Sequence, residues 1–261
     1  MVLTGMILLL ALLAVQPVMA AHPLVTDDTG TAGRGGVLVE LNSEFGFDRE
    51  KIEGVRIRER GGETALVATY GISDALDLVL GIPYQWSRSK EDGVVVGEED
   101  GLADLSVEAK WRFLEGSLGS LALKPAISLP TGEEEKGLGN GRVSYGLTLI
   151  ASREFEPVDL HLNLGYAINE FRLKADREDN RREIWHASLA AVRKLTDRID
   201  LVGNIGVERN GAHGDNRHPA FVLGGLIYSV NETLALNFGV KAGLNRAETD
   251  LTVLAGLAWS R

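Results

Sequence analysis

The chain has 261 residues, 44% of them apolar and 25% charged, which is enough for one large ordered domain or two small ones. A net charge of -10 and a calculated pI near 5.1 exclude a nucleic-acid-binding role, because no basic stretch is dense enough to follow a phosphate backbone. The lack of cysteine removes disulfides and thiolate metal centres, so a hydrogen-bonded sheet has to supply rigidity.

The first predicted element is an export signal. Met6 to Val15 is an almost unbroken apolar run, and Val18-Met19-Ala20 places small residues where signal peptidase needs them, so residues 1–20 read as a signal peptide cleaved near Ala20. That run is shorter than the roughly 20 residues of a membrane-spanning helix, and no comparable run follows. Residues 21–35 have no periodicity; their Gly, Thr, Asp and Pro content predicts an irregular periplasmic segment able to plug the mouth of whatever follows.

From Val37 onward the side chains alternate with period two, the pattern of a pleated strand. In the first strand Val37, Val39, Leu41, Phe45 and Phe47 oppose Glu40, Asn42, Glu44 and Asp48, and a charged loop from Arg49 to Gly62 follows. The second carries Leu66, Ala68, Tyr70 and Ile72 to a Ser73-Asp74 turn, and the third sets Leu76, Leu78, Leu80, Ile82, Tyr84 and Trp86 against a face containing Asp77. After an acidic loop from Lys90 to Gly101 comes the clearest stretch, Asp104 to Phe113. There Asp104, Ser106, Glu108, Lys110 and Arg112 make an ionic face, and Leu105, Val107, Ala109, Trp111 and Phe113 a greasy one.

The fifth strand runs through Leu121 to Leu129 with Lys124 on its polar side, and the loop Pro130 to Gly141 leads to a sixth at Tyr145 to Ala151. Leu160 to Tyr166, with Asp159 and His161, form the seventh. A charged loop from Glu170 to Glu183 precedes the eighth, Trp185 to Ala191 with His186 on its polar face and Lys194 beyond. Ile199 to Val207, flanked by Asp200 and Glu208, make the ninth; Val222 to Tyr228, Leu234 to Val240 and Leu251 to Trp259 complete the set, Lys241 ending the eleventh. No run between strands shows a helical period.

About twelve strands, connected alternately by long loops and tight turns, predict an all-β, transmembrane, antiparallel up-and-down barrel over residues 36–261, inserted in the outer membrane of a Gram-negative cell. A soluble sandwich mixes connection lengths at both ends, and strands of about ten tilted residues match the hydrocarbon thickness. Tyr70, Tyr84, Trp86, Trp111, Phe113, Tyr166, Trp185, Tyr228 and Trp259 lie near strand ends, where interfacial girdles belong. Pro83 and Pro125 lack an amide donor, which predicts bulges at both. With the leucines on lipid, the lumen candidates are Glu40, Glu44, Asp77, Asp104, Glu108, Lys110, Arg112, Lys124, Asp159, His161, His186, Lys194, Asp200, Glu208 and Lys241.

His22 to Thr31, the Asp104 to Leu114 strand with Lys110-Trp111-Arg112-Phe113, and Leu129-Pro130-Thr131-Gly132 running to Lys136-Gly137-Leu138-Gly139-Asn140-Gly141 resemble the bacterial outer-membrane family labelled "putative MetA pathway of phenol degradation", often called simply transporter. The similarity covers essentially all of the mature chain. It implies a barrel that passes small, in part hydrophobic or aromatic, molecules. The ending Trp259-Ser260-Arg261 departs from the usual aromatic terminus of such barrels, which bears on recognition by the barrel-assembly machinery.

Other chemistry is poorly supported. Gly132 to Gly141 has no Lys-Ser or Lys-Thr after its last glycine and no helix to follow, as a phosphate loop requires. His161 and His186 sit on neighbouring strands where they can approach, but no carboxylate stands at ligand spacing, so neither metal nor cofactor is expected. An outer-membrane acyl hydrolase needs an outward Ser-His pair, whereas Ser188 and His186 face inward. The acidic stretches Lys90 to Asp100 and Glu133 to Glu135 offer contacts to outer-membrane lipid and lipopolysaccharide through divalent cations. The expected function is a passive, non-enzymatic channel for a small-molecule solute, the alternative a closed barrel that stabilises the membrane or binds a surface partner. Mixed inward charges suit either a charge-sorting pore or a filled lumen.

Overall fold

The computed structural model describes residues 22–52 and 54–261, so the signal peptide read at residues 1–20 lies outside the described residues. Among the described residues there are thirteen strands: β1 Val37–Ile52, β2 Val55–Ser73, β3 Leu76–Glu91, β4 Val94–Leu102, β5 Leu105–Gly116, β6 Gly119–Leu129, β7 Ser144–Phe155, β8 Val158–Ile168, β9 Glu183–Thr196, β10 Ile199–Glu208, β11 Ala220–Ser229, β12 Leu234–Gly243 and β13 Leu251–Ser260. Each pairs antiparallel with its successor except that β3 pairs with both β4 and β5, and β13 returns to β1 through Leu38↔Ser260 to Phe47↔Leu251. Twelve strands therefore close a barrel, and β4 is an extra strand on the long arm of β3. Closure leaves no open edge among hydrocarbon chains, where no water is present to satisfy one.

The alternation in sequence becomes inside and outside. Along β12, Ala235, Asn237 and Gly239 are buried while Leu236, Phe238 and Val240 are exposed on the outer surface. Two aromatic bands ring that surface. Phe45, Phe47, Tyr84, Tyr145, Tyr166 and Trp185 mark the end with long connections, and Tyr70, Trp111, Phe113, Phe155, Tyr228 and Trp259 the end with tight turns.

Four expectations need correction. Arg49 to Gly62 and Lys90 to Gly101 are hairpins rather than loops, with pairs continuing to Ile52↔Val55 and Glu91↔Val94. Above the membrane both faces of a hairpin are wet, so the hydrophobic alternation vanishes. The overlooked signal was Asp92-Gly93, whose φ values of 45° and 93° suit the two-residue turn that Asp-Gly favours.

A short helix, α1 Lys174–Asp179, and a single 3-10 turn at Glu134–Lys136 lie in long connections where no helix was expected. Six residues are under two turns, too few to show a period. The strand expected from Asp104 begins instead at Leu105.

The expected bulges at Pro83 and Pro125 are absent. Register shifts fall at Gly71/Ser73, Ser89/Lys90, Arg112/Leu114 and Ile199/Asp200. Pro83 pairs regularly with Ala65, and its other edge sits where β3 changes partner from β5 to β4. Pro125 pairs with Leu147 on β7 and lies in a gap of the β5–β6 ladder between Glu108↔Ala126 and Trp111↔Leu123. A missing donor costs nothing where the ladder is already interrupted.

Candidate functional site

Residues 22–36 lie inside the barrel as a belt laid across its inner wall, touching strand after strand. His22 Nδ1 meets Asn237 Oδ1 on β12. Pro23 packs where Gly225 of β11 and Gly239 of β12 have no side chain; a Cβ at Gly239 would lie 2.8 Å from the proline ring. Leu24 bridges two apolar clusters, Val202/Ile227/Ala235 and Phe221/Leu223/Leu254. Asn204 on β10 accepts the amides of Val25 and Thr26 at 2.8 and 3.1 Å and donates to Thr26 Oγ1 at 2.8 Å, while Thr26 Oγ1 donates to Ser188 Oγ on β9 at 2.7 Å.

Further along, Asn163 on β8, with its amide turned to satisfy both groups, accepts from Asp27 N at 2.7 Å and donates to Asp27 O at 2.9 Å. The Thr29 amide donates to Ser152 Oγ on β7 at 3.0 Å, and its hydroxyl meets Ser120 on β6. Thr31 reaches the Asp74 carbonyl in the β2–β3 turn, and Ala32 N donates to Asp77 Oδ2 on β3 at 2.9 Å. An extended chain advances ~3.4 Å per residue and strands stand ~4.8 Å apart, so one wall strand is met roughly every one and a half residues.

At the middle of the belt stands an ion cluster. Asp27 Oδ1 is 3.3 Å from Lys110 Nζ of β5, Asp27 Oδ2 is 3.0 Å from Lys124 Nζ of β6, and Lys124 is 3.1 Å from Glu108. Three cavities occupy the barrel interior, two of them bordering this cluster. A vestibule of about 620 Å³ near the tight-turn end is lined by Glu40, Asp77, Glu108, Lys110, Arg112 and Lys124 together with the belt. An inner chamber of about 330 Å³ shares Val25, Asp27 and Lys124 with it and adds His186, Glu208 and Glu248. An outer chamber of about 560 Å³ shares Lys241 with the inner one and contains Glu44, Glu63, Arg60 and Lys136. At that mouth, a hydrogen bond to Glu133 raises the pKa of Lys136 and keeps it cationic.

The remaining sequence-derived candidates sit elsewhere. Asp104 does not join the wall; its carboxylate accepts the amides of Gly132 and Asn140 at 2.9 Å each and shapes the loop between β6 and β7. Asp159, Lys194 and Asp200 belong to the tight-turn rim, where Lys194 pairs with Asp197 at 3.5 Å. His161 is buried with Nδ1 2.9 Å from Ser152 Oγ. It pairs with Ala190 while His186 pairs with Gly165, so the two imidazoles are not brought together; four residues along a strand separate them by ~13 Å. Ser188 is engaged by Thr26 rather than by an imidazole.

Sequence reasoning missed the uncharged anchors Asn163, Asn204, Asn237, Ser120 and Ser152. Each is a small polar residue at an inward position of its strand, which was the available signal. Asn204→Ala should leave the two belt amides without partners and Thr26 Oγ1 with only its bond to Ser188, a loss of about 1–3 kcal/mol. It should appear as faster amide exchange at Val25 and Thr26 with the barrel intact.

The model of the family described as "Putative MetA-pathway of phenol degradation" matches residues 26–261. The chain belongs to that family. Among solved structures, the COG4313 outer membrane channel from Pseudomonas putida F1 superposes with a TM-score of 0.69 at 15% identity, covering 90% of this chain and 98% of that one. The translocator domain of the autotransporter NalP from Neisseria meningitidis follows with 0.57 at 14% identity, over 87% and 88% of the two chains. The P. putida toluene transporter TodX gives 0.50 at 10%, over 90% and 92%. No curated protein matches the chain. At these identities the likeness is one of fold, and that fold is the outer-membrane barrel.

Proposed function

We propose that this chain is a passive outer-membrane channel for small molecules, with the 22–36 belt as its internal constriction. The observation that carries this reading is the succession of three cavities inside the barrel, neighbours sharing wall residues, Asp27 and Lys124 at one boundary and Lys241 at the other. Family membership and the fold of the COG4313 channel support it. The linings are mixed in charge, which favours polar solutes, or aromatic ones carrying a polar group, over bare hydrocarbons. No catalysis is part of this reading, because Ser188 is buried in belt contacts away from lipid.

The outer chamber is lined by six carboxylates, Glu44, Asp48, Glu59, Glu63, Glu98 and Glu99, against four cations, Arg60, Arg88, Lys136 and Lys241. Purified protein in planar bilayers should show discrete conductance steps, with salt-gradient reversal potentials favouring cations at low ionic strength, where screening is weak. Absence of any conductance, together with liposomes that fail to swell in small sugars or amino acids, would instead establish the closed structural barrel.

A further inference from the structure

The Asp27 carboxylate comes from the belt and not from the wall, yet it is the group that neutralises the wall's lysines. Its two oxygens are divided between Lys110 and Lys124, at 3.3 and 3.0 Å, which is how a carboxylate seats itself between two ammonium groups. Glu108 satisfies only Lys124, at 3.1 Å, and the other oxygen near Lys110 is the Asp28 carbonyl at 3.5 Å. Both lysine side chains and that of Asp27 are largely shielded from solvent. Without Asp27 only Glu108 would remain in direct contact with the pair, and Lys110 would keep the Asp28 carbonyl and, beyond salt-bridge distance, the Asp77 and Glu40 carboxylates of the vestibule, a poorer pairing that a shielded site tolerates badly.

The main chain of Asp27 is held separately, through its N–H and C=O, by Asn163. Its side chain can therefore turn aside, giving up the two lysines and the Asp28 amide that its Oδ1 accepts at 2.9 Å, while the belt stays in place. The cluster also stands at the junction of the vestibule and the inner chamber, so a solute moving between them passes it, with space on both sides for the body of a molecule.

From this we infer that Lys110 and Lys124 form a binding site for a small carboxylate solute, occupied in the resting protein by Asp27 as an internal stand-in. The displaced Asp27 carboxylate stays on the belt, so a bound solute adds one negative charge to the cluster, which keeps binding weak enough for release, as conduction requires. The inference rests on the channel reading for its role in transport, but the site itself can be tested without transport.

The test compares benzoate with benzamide, which share a shape and differ in charge, by calorimetry on the full mature chain in detergent and by block of potassium chloride conductance in bilayers. Wild-type protein should bind benzoate weakly and benzamide not at all. Asp27→Asn frees the lysines for a larger fraction of the time, so benzoate should bind about tenfold more tightly, the apparent affinity rising with the competent fraction. Lys110→Met, which leaves the Asp27–Lys124 pair in place, should abolish benzoate binding in the wild-type background and serves as the readout if Asp27→Asn fails to give a heat-modifiable barrel. Equal binding of benzoate and benzamide, unchanged benzoate affinity in Asp27→Asn, or full retention in Lys110→Met would overturn the assignment. Saturable binding with these dependences in a protein that never conducts would uphold the site and remove the channel reading.

Discussion

Removing residues 22–33 from the mature chain is expected to raise single-channel conductance about threefold or more, because the belt rather than the barrel wall sets the narrowest section. Twelve tilted strands at ~4.8 Å spacing enclose a ring only ~24 Å across between backbones, and one added layer of chain with its side chains takes roughly 10 Å of that. With the belt gone, the vestibule and inner chamber, now divided at Asp27 and Lys124, become one space. The barrel itself should survive. The β-ladders that close it run from β1 to β13 without a belt residue, and water can enter to hydrate Asn204, Asn163, Ser152 and the two lysines as their partners leave. Heat-modifiable gel mobility would verify the barrel, and bilayer recordings would read the pore. A truncated protein that folds and conducts like the full one would show that the constriction lies elsewhere.

The second large effect concerns the outer surface. Leu226 on β11 is 42% exposed between Leu201 of β10 and Phe238 of β12, on the outward face between Gly224 at the strand centre and Tyr228 of the aromatic band. Leu226→Arg should therefore destabilise the membrane-inserted barrel by about 1–3 kcal/mol, the cost of a charge in hydrocarbon between the bilayer midplane and the interface. Ser106→Lys, whose side chain enters the vestibule that Glu108 and Glu40 also line, should cost less than about 1 kcal/mol. Urea titrations of both variants in lipid vesicles measure the difference. Equal midpoints would mean that the leucine face does not meet hydrocarbon, and the orientation of every strand would have to be reversed.

Residues of those two kinds are separable in the amino-acid sequence for a local reason. A strand in a barrel wall has lipid on one side and a wet lumen on the other, so each position is selected by its own surroundings and period two survives along the chain. The number of wall strands, the alternation of long and short connections and the inward position of Glu40, Glu108, Lys110, Lys124 and Lys241 are all legible that way. Legibility ends where the two-sided environment ends. On the arms formed by β1 to β4 both faces are wet, so Arg56, Arg58, Glu98 and Glu99 have the composition of loop although they are paired strand. At Asp104 the alternation continues one residue past the strand, into a carboxylate that caps a loop.

The sequence by itself determined the barrel and which face of each strand meets lipid, because burial against hydrocarbon is a property of single residues repeated at a fixed spacing. Only the tertiary structure decided what stands inside it. The stretch from His22 to Gly36 has no period, and its position depends on Asn204, Ser188, Asn163 and Ser152, more than a hundred residues away, whose hydrogen-bonding groups are brought to one surface by the pairing of β7 to β10. Directional bonds between distant, unremarkable polar residues leave no local pattern, and so Asp27 could be recognised as the partner of Lys110 and Lys124 only once the ring had brought all three to one place.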